Sequence, residues 1–239
     1  MKRSSKMRLV RRVSAGVVAL IAIVICAAWL MFQHIPSWYR PIVISALGDL
    51  DRVRQDLSGT YDRLDTAIMY ANGPFEFHLR EDQVNAWLAA RENIEPGTKG
   101  WLPTMLSNPF VHVESDGLRV AATVRREELK TVLSARLTFE TTADTLRMRM
   151  SEVRTGRLPI PEKWLREALA DLADKLQSSE NPKSARNSTK AEPAEWEQLF
   201  AGIDLKNTVV SEFINRPFRI TDLRFEPPEI VATLEPLPR

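Results

Sequence analysis

The sequence predicts an α+β fold: a twisted antiparallel β-sheet meander packed with amphipathic helices and preceded by one N-terminal transmembrane helix. Three observations lead to this prediction. Residues 13–39 carry no charged side chain, residues 109–153 alternate between apolar and polar side chains, and leucines recur at helical spacing on both sides of that alternation. A run of hairpins flanked by helices is typical of the α+β class.

The uncharged stretch 13–39 predicts a membrane anchor. Its apolar run from Ala15 to Phe32 is long enough to cross the ~30 Å hydrocarbon core as one helix. Residues 1–12 hold six basic residues and no acid, which predicts a cytoplasmic basic tail. We therefore expect a single-pass protein of the cytoplasmic membrane, with residues 40–239 on the extracytoplasmic side.

Retention of the anchor competes with two processing routes. Small residues at Cys26-Ala27-Ala28 suit cleavage as a signal peptide, but the apolar run continues to Phe32 and is longer than a usual signal core. Lipoprotein processing at Cys26 is disfavoured because bulky Ile25 precedes it. Trp29, Trp38 and Tyr39 suit the aromatic belt of the outer interface, which favours a retained anchor.

The exported part has a composition that argues against nucleic-acid binding and against disulfides. Six of the 33 basic residues lie in the tail, which leaves 27 basic against 31 acidic residues and a net charge of −4. A nucleic-acid-binding domain is basic, so no nucleic-acid partner is expected. Cys26 is the only cysteine, and a domain without internal disulfides fits the periplasm of a bacterial envelope better than a eukaryotic ectodomain.

Residues 40–72 predict a juxtamembrane helix. Apolar residues from Leu47 to Ile68 recur at steps of three, four and seven, and Asn72-Gly73-Pro74 ends the pattern. We expect this helix to pack on its own domain. The alternative is a coiled coil through residues 43–68 that joins two copies as a homodimer.

Residues 73–239 predict the extracytoplasmic domain. Phe75 to Leu79 alternate as a strand that leads into a helix beginning at Glu81. Turns at Asp116-Gly117 and Ala143-Asp144 then predict two successive hairpins. With the first of these turns, Val113 faces Val120 across the hairpin.

The meander predicts two faces with different chemistry. One is a candidate apolar ligand face, made of Val113, Val120, Leu137, Phe139, Met148 and Met150. The other is a candidate polar contact face, made of Arg119, Arg125, Arg136, Arg147 and Arg149. We interpret the polar face first as a solvated surface with cross-strand ion pairs, and second as a contact surface for anionic headgroups or an acidic partner.

A helix, a linker and two strands follow the meander. Pro161 begins an amphipathic helix that runs to Leu176 and would cover the apolar face. Residues 178–193 hold no apolar side chain larger than Ala and predict a flexible insertion. Residues 218–225 and 230–234 predict two strands, with two prolines between them as a turn.

The sequence motifs give no support to catalysis or to metal binding. There is no G-x-S-x-G, no phosphate loop and no dinucleotide fingerprint. His34, His78 and His112 are not at metal-ligand spacing, so no catalytic residue, metal or cofactor is expected. The adjacent acids Glu81-Asp82 and Glu127-Glu128 are more typical of helix starts and turns than of an acid–base couple.

Two motifs resemble the YpmS-like family of membrane-anchored bacterial proteins. Phe75-Glu-Phe-His-Leu79 followed by Glu81-x-Gln83-x-Asn85-x-x-Leu88 is similar to the family's strand–helix opening, and Gly156-x-Leu158-Pro159-x-Pro161 is similar to its second element. The order of elements from about residue 10 to 235 also resembles the family's layout, with the linker at 178–193 as a departure. The resemblance implies an exported domain with an antiparallel sheet and helices, and no defined activity.

These observations favour a non-catalytic envelope protein that binds a lipid or another apolar ligand in a groove beside the sheet. The alternative is a scaffold or assembly protein that binds another envelope protein through the sheet edge or the Arg-rich face, and a further alternative is an uncharacterised hydrolase. A lipid binder predicts a pocket lined by apolar side chains. A scaffold predicts a filled core with an exposed apolar patch or a free strand edge.

Overall fold

The computed structural model describes residues 3–44, 47–95, 102, 105–126, 129–142, 144–161, 163, 200–210 and 216–238. The helices are α1 (Arg3–Gln33), α2 (Leu47–Tyr70) and α3 (Glu81–Ile94). The strands are β1 (Phe75–Arg80), β2 (Leu106–Glu114), β3 (Gly117–Arg126), β4 (Leu129–Thr141), β5 (Thr145–Thr155), β6 (Leu158–Pro159), β7 (Ile203–Lys206), β8 (Thr208–Val210), β9 (Pro217–Glu226) and β10 (Glu229–Pro236).

The α+β class with antiparallel pairing is confirmed, but the strands belong to two sheets. The larger sheet has the order β2-β3-β4-β5-β6, and β7 also pairs with β5. The smaller sheet has the order β1-β10-β9-β8 and so joins the strand after α2 to the last hairpin of the chain. The expectation of a single sheet is wrong because β1 and the C-terminal strands pair with each other and leave the meander as a separate layer.

The N-terminal helix ends before the uncharged stretch does. Helix α1 ends at Gln33, and residues 34–44, here called the N-terminal strap, are not helical. Tyr39 is only 7% exposed, because it packs against Phe110 and Val132 of the larger sheet. Its expected place in a membrane-interface belt is therefore wrong. Within the part of the chain that the structure describes, no helix is long and apolar enough to cross a membrane.

The meander of β2 to β5 is confirmed, with one correction to its register. Glu114 pairs with Gly117, so the first turn is Ser115-Asp116, and Val113 faces Leu118 instead of Val120. The observed pairing of β2 with β3 is therefore shifted by two residues from the predicted register. Because side chains alternate with a period of two, each side chain keeps its predicted face.

Two β-bulges were not anticipated. Asn108 and Pro109 together oppose Ala122, and Asn108 has a φ of 53°. Glu152 has a φ of 50° and lies at the irregularity opposite Ala135 in the β4–β5 pair. A bulge redirects side chains and carbonyls locally. The first one lets the Asn108 carbonyl accept a 2.7 Å hydrogen bond from the Tyr39 hydroxyl.

Helix α2 packs on its own domain, as expected for the juxtamembrane helix. Ile68 is fully buried in a cluster with Phe218 and Leu234 of the smaller sheet. Arg216 Nη1 donates hydrogen bonds to the carbonyls of Ile68 and Met69, at 2.6 and 2.9 Å, and so satisfies free acceptors at the helix end. The helix begins at residue 47 instead of 40. A homodimer through residues 43–68 stays a prediction.

Helix α3 is fastened to the open edge of β2 by two side chains. Asn85, 2% exposed, donates from Nδ2 to the Val111 carbonyl and accepts the Val111 N–H at Oδ1, both at 2.7 Å. Glu81 Oε2 accepts the Val113 N–H at 2.8 Å. These contacts replace a neighbouring strand and satisfy backbone groups that an edge leaves unpaired.

A second buried amide joins the two sheets. Asn207, 1% exposed, lies between β7 of the larger sheet and β8 of the smaller one. Its Nδ2 donates to the Thr142 carbonyl at 2.8 Å, and its Oδ1 accepts the Ile220 N–H at 2.9 Å. The helix predicted from Pro161 to Leu176 and the insertion predicted at 178–193 lie almost wholly outside the described residues.

We expect Asn85→Asp to lower the free energy of unfolding by about 2–4 kcal/mol. The change keeps the shape of the side chain but removes the donor to Val111 and places a charge in a buried site. Chemical denaturation monitored by circular dichroism measures the difference.

Asn93→Asp is the matched control on the same helix, because Asn93 is exposed. Equal losses of stability in the two variants would contradict a structural role for the Asn85 contacts.

Candidate functional site

The six residues of the predicted apolar ligand face do share one face of the larger sheet. Leu137 pairs with Met150 and Phe139 with Met148, while Val113 is 1% exposed. The Phe139 ring lies 5.5 Å from the ring of Phe225, so this part of the face contacts the smaller sheet. The face therefore includes an inter-sheet contact.

An apolar cavity lies elsewhere, between α2, α3 and β1, and none of those six side chains lines it. Its volume is about 250 Å³. Its lining is mostly hydrocarbon, with a few polar groups: Val53, Asp56, Leu57, Thr60, Tyr61, Leu64, Phe77, Leu79, Gln83, Val84, Ala86 and Trp87.

The cavity follows from the amphipathic patterns of its three walls. On α2, Leu57, Tyr61 and Leu64 are spaced by four and three residues and so lie on one side of the helix. On β1, alternate residues point to the helices, which brings Phe77 and Leu79 to the floor. Helix α2 packs closely on the smaller sheet where Ile68 is buried, and the space opens about one turn earlier along α2.

Two of the polar side chains at the cavity are engaged within the chain. Thr60 Oγ1 donates to the Asp56 carbonyl at 2.7 Å, and Gln83 Oε1 accepts the Arg80 N–H at 3.2 Å. The indole N–H of Trp87 differs from them, because it is buried and has no acceptor among the described residues. The guanidinium of Arg91 lies 5.0 Å from the centre of the Trp87 ring.

The predicted polar contact face divides into a neutralised part and an open part. Arg119 and Arg136 face each other on β3 and β4, and acids surround both. Arg119 Nε donates to Glu114 at 2.7 Å, and Arg136 Nη1 donates to Glu152 at 3.0 Å, with Asp116 as a further partner of Arg136. Their charges are therefore compensated within the sheet.

The remaining arginines of that face are differently placed. Arg147 donates to the Ala201 carbonyl at 3.2 Å and lies 3.7 Å from Asp204. Arg125 and Arg149 are exposed and form no ion pair with the described residues. Of the five predicted contact residues, these two are the ones with an uncompensated charge at the surface.

The N-terminal strap covers the other end of the face that was expected to be solvated. Trp38 stacks on His112 with ring centres 5.7 Å apart and an interplanar angle of 12°. His112 Nδ1 also lies 3.0 Å from Glu81 Oε2. In the residues that are described, no three His, Cys, Asp or Glu side chains are grouped to hold a metal ion.

Sequence reasoning missed the cavity, the strap and the role of Glu152. The bulge to which Tyr39 of the strap bonds did have a signal in the sequence. Pro109 follows Asn108 inside the predicted strand, and a proline inside a strand indicates an edge or a bulge. The cavity had no such signal. The leucines of α2 and the aromatic residues of β1 read equally well as filled core, because periodicity gives the buried side of an element without giving the quality of its packing.

We expect the stability contributed by Glu152 to depend on pH. A hydrogen bond from Arg136, and then one from Arg119, lowers the pKa of the Glu152 carboxyl below its usual range. A depressed carboxyl pKa stabilises the fold above the unfolded-state pKa of about 4.3, and this contribution is lost as the pH falls through the folded-state pKa.

Glu152→Gln should therefore lower the free energy of unfolding at pH 7 by about 0.5–1 kcal/mol, as for a partly exposed ion pair, and by nothing at pH 2. Denaturation at several pH values measures this difference. Glu140→Gln is the control, since Glu140 is exposed and forms no ion pair with the described residues. A difference for Glu152→Gln that is constant with pH would contradict the electrostatic account.

Comparison of the chain with protein-family models, with curated proteins and with solved structures finds no match.

Proposed function

We propose that the protein is a non-catalytic, single-pass membrane protein of the bacterial envelope that binds one apolar chain between α2, α3 and β1. The extracytoplasmic α+β domain carries the site, and α1 anchors it. The observation that carries the proposal is the hydrocarbon-lined cavity of about 250 Å³. This site replaces the sheet face on which the apolar ligand was expected.

The anchor is supported by the sequence and by the surface of α1. No charged side chain occurs at residues 13–39, and six basic residues precede them. Side chains such as Leu20, Ile23 and Leu30 are 61%, 65% and 70% exposed, although they are strongly apolar. A helix that exposes this much hydrocarbon is stable in lipid and costly in water.

The size of the cavity limits the ligand. Sites for drug-sized molecules have volumes of about 300–1,000 Å³. A cavity of about 250 Å³ suits a single aliphatic chain better than a bulky ring system. Asp56 and Gln83 lie at its lining, so a polar end group would find polar neighbours there.

The chemistry of the end group follows from Trp87. A buried N–H without an acceptor lowers stability by about 1–3 kcal/mol relative to a satisfied one. Nε1 has almost no surface open to the cavity, so a carbonyl oxygen of the ligand would satisfy it after a rotation of the indole ring. A fatty-acyl ester or amide, which combines an aliphatic chain with a carbonyl, therefore fits the site best.

A second candidate function is supported by a different observation. Strand β8 pairs with β9, and Val209 and Val210 are 42% and 50% exposed. An exposed edge strand with apolar side chains can accept a strand from another protein. This edge, together with the exposed Arg125 and Arg149, favours a scaffold that binds another envelope protein.

We expect full-length protein in mild detergent to carry an acyl lipid, and Ala86→Phe to reduce the bound amount several-fold. Ala86 lines the cavity, so the larger ring takes the space of the ligand. Mass spectrometry of organic extracts, normalised to protein, measures the lipid.

Ala201→Phe is the control, because Ala201 is exposed and does not line the cavity. Thermal unfolding of both variants shows whether the fold is kept. Wild-type protein without bound lipid would refute the apolar-ligand function and leave the scaffold as the proposal.

A further inference from the structure

The end of α1 is hydrogen-bonded to one corner of the larger sheet. The Arg157 N–H donates to the Met31 carbonyl at 2.8 Å, and Thr131 Oγ1 donates to the Phe32 carbonyl at 2.6 Å. Gly156, with a φ of 57°, lies so close to these carbonyls that a Cβ would collide with them. Carbonyls at the last turn of a helix need partners, and here the sheet supplies them.

An apolar groove runs from this corner along α1. It is lined almost entirely by hydrocarbon and has a volume of about 650 Å³. Its walls are the α1 residues from Ile25 to Phe32 on one side and Leu129 and Leu158 on the other. Ile25 lies seven residues before Phe32, so at 1.5 Å per residue the groove extends about 10 Å along the helix.

We infer that this corner of the sheet is a lipid-binding surface, with Leu129 and Leu158 at the boundary between acyl chains and headgroups. The inference rests on the proposed anchor. If α1 crosses the bilayer, its last turns lie in the outer interface. Leu129 and Leu158 share a groove with these turns and therefore lie at the same depth in the membrane as the last turns of α1. Leu129, which is 39% exposed, would then contact lipid instead of water.

Basic residues lie next to the two leucines in the sequence. Arg125 and Lys130 are cross-strand partners, and both are exposed, as is Arg157. Like charges that face each other destabilise a sheet unless an anion lies between them. Lipid phosphates supply such anions, which is the reason for assigning the groove to lipid and not to a second copy of the chain. Glu127 and Glu128 come between Arg125 and Lys130 in the sequence and lie outside the described residues, so the apolar groove carries the inference and the charges support it.

Depth measurement by spin labelling tests the inference on the full chain. Cys26 is the only cysteine, which makes single-site labelling direct. Labels are placed at Cys26 in the wild type, and at Leu129→Cys, Leu158→Cys and Val210→Cys in a Cys26→Ser background. Val210 is 50% exposed on β8 and is the aqueous control. The protein is reconstituted in vesicles of phosphatidylcholine and phosphatidylglycerol.

The readout is the ratio of collisions with oxygen, which concentrates in lipid, to collisions with a polar nickel chelate. We expect this ratio to be several-fold higher at residues 129 and 158 than at 210, and highest at 26. A high ratio at residue 26 together with low, aqueous ratios at residues 129 and 158 would contradict the proposed lipid-binding surface but would still support the membrane anchor. An aqueous value at 26 would overturn the anchor itself. Spin–spin broadening at 129 in dilute vesicles would instead assign the groove to a second copy.

Discussion

The position of α3 on the edge of β2 is the constraint on which the rest of the domain depends. An edge strand presents unpaired N–H and carbonyl groups, and here Asn85 and Glu81 supply the partners that a further strand would give. An amide can do this because it has a donor and an acceptor on one rigid plane. The same helix turns Val84 and Trp87 toward α2. The wall of the cavity is therefore held in place by hydrogen bonds made on another side of α3.

The two sheets are joined by polar contacts at one place and by apolar contacts at another. Asn207 bonds the turn of the β4–β5 hairpin and the backbone of β9 at once, while Phe139 meets Phe225 between the layers. A buried amide with its groups satisfied fixes the relative position of the sheets more strictly than apolar packing, which tolerates sliding. This rigidity is relevant to function, because α2 rests on the smaller sheet and α3 on the larger one.

The N-terminal strap connects the proposed membrane anchor to the larger sheet. It leaves the corner where α1 is bound, crosses the polar face of the larger sheet with Trp38 on His112, and leads to α2. Tyr39 completes the path with hydrogen bonds to Asn108 and Thr123. These contacts join the end of α1 to the sheet that carries α3, and α3 forms one wall of the proposed ligand cavity.

The sequence by itself determined the class of the fold, the meander, the strand–helix unit after residue 73, the terminal hairpin and the side of each strand that faces inward. These depend on local periodicity, which a register error of two residues at Ser115-Asp116 leaves unchanged. A sequence motif also singled out Glu81 and Asn85, but it did not predict that they form hydrogen bonds with the edge of β2. Only the tertiary structure decided that β1 pairs with β10, that Glu152 lies among arginines, that the strap covers one end of the polar face, and that α2 and α3 leave space above Phe77. Each of these outcomes depends on residues far apart in the chain, and local patterns contain no information on which distant partners meet or how completely they fill the space between them.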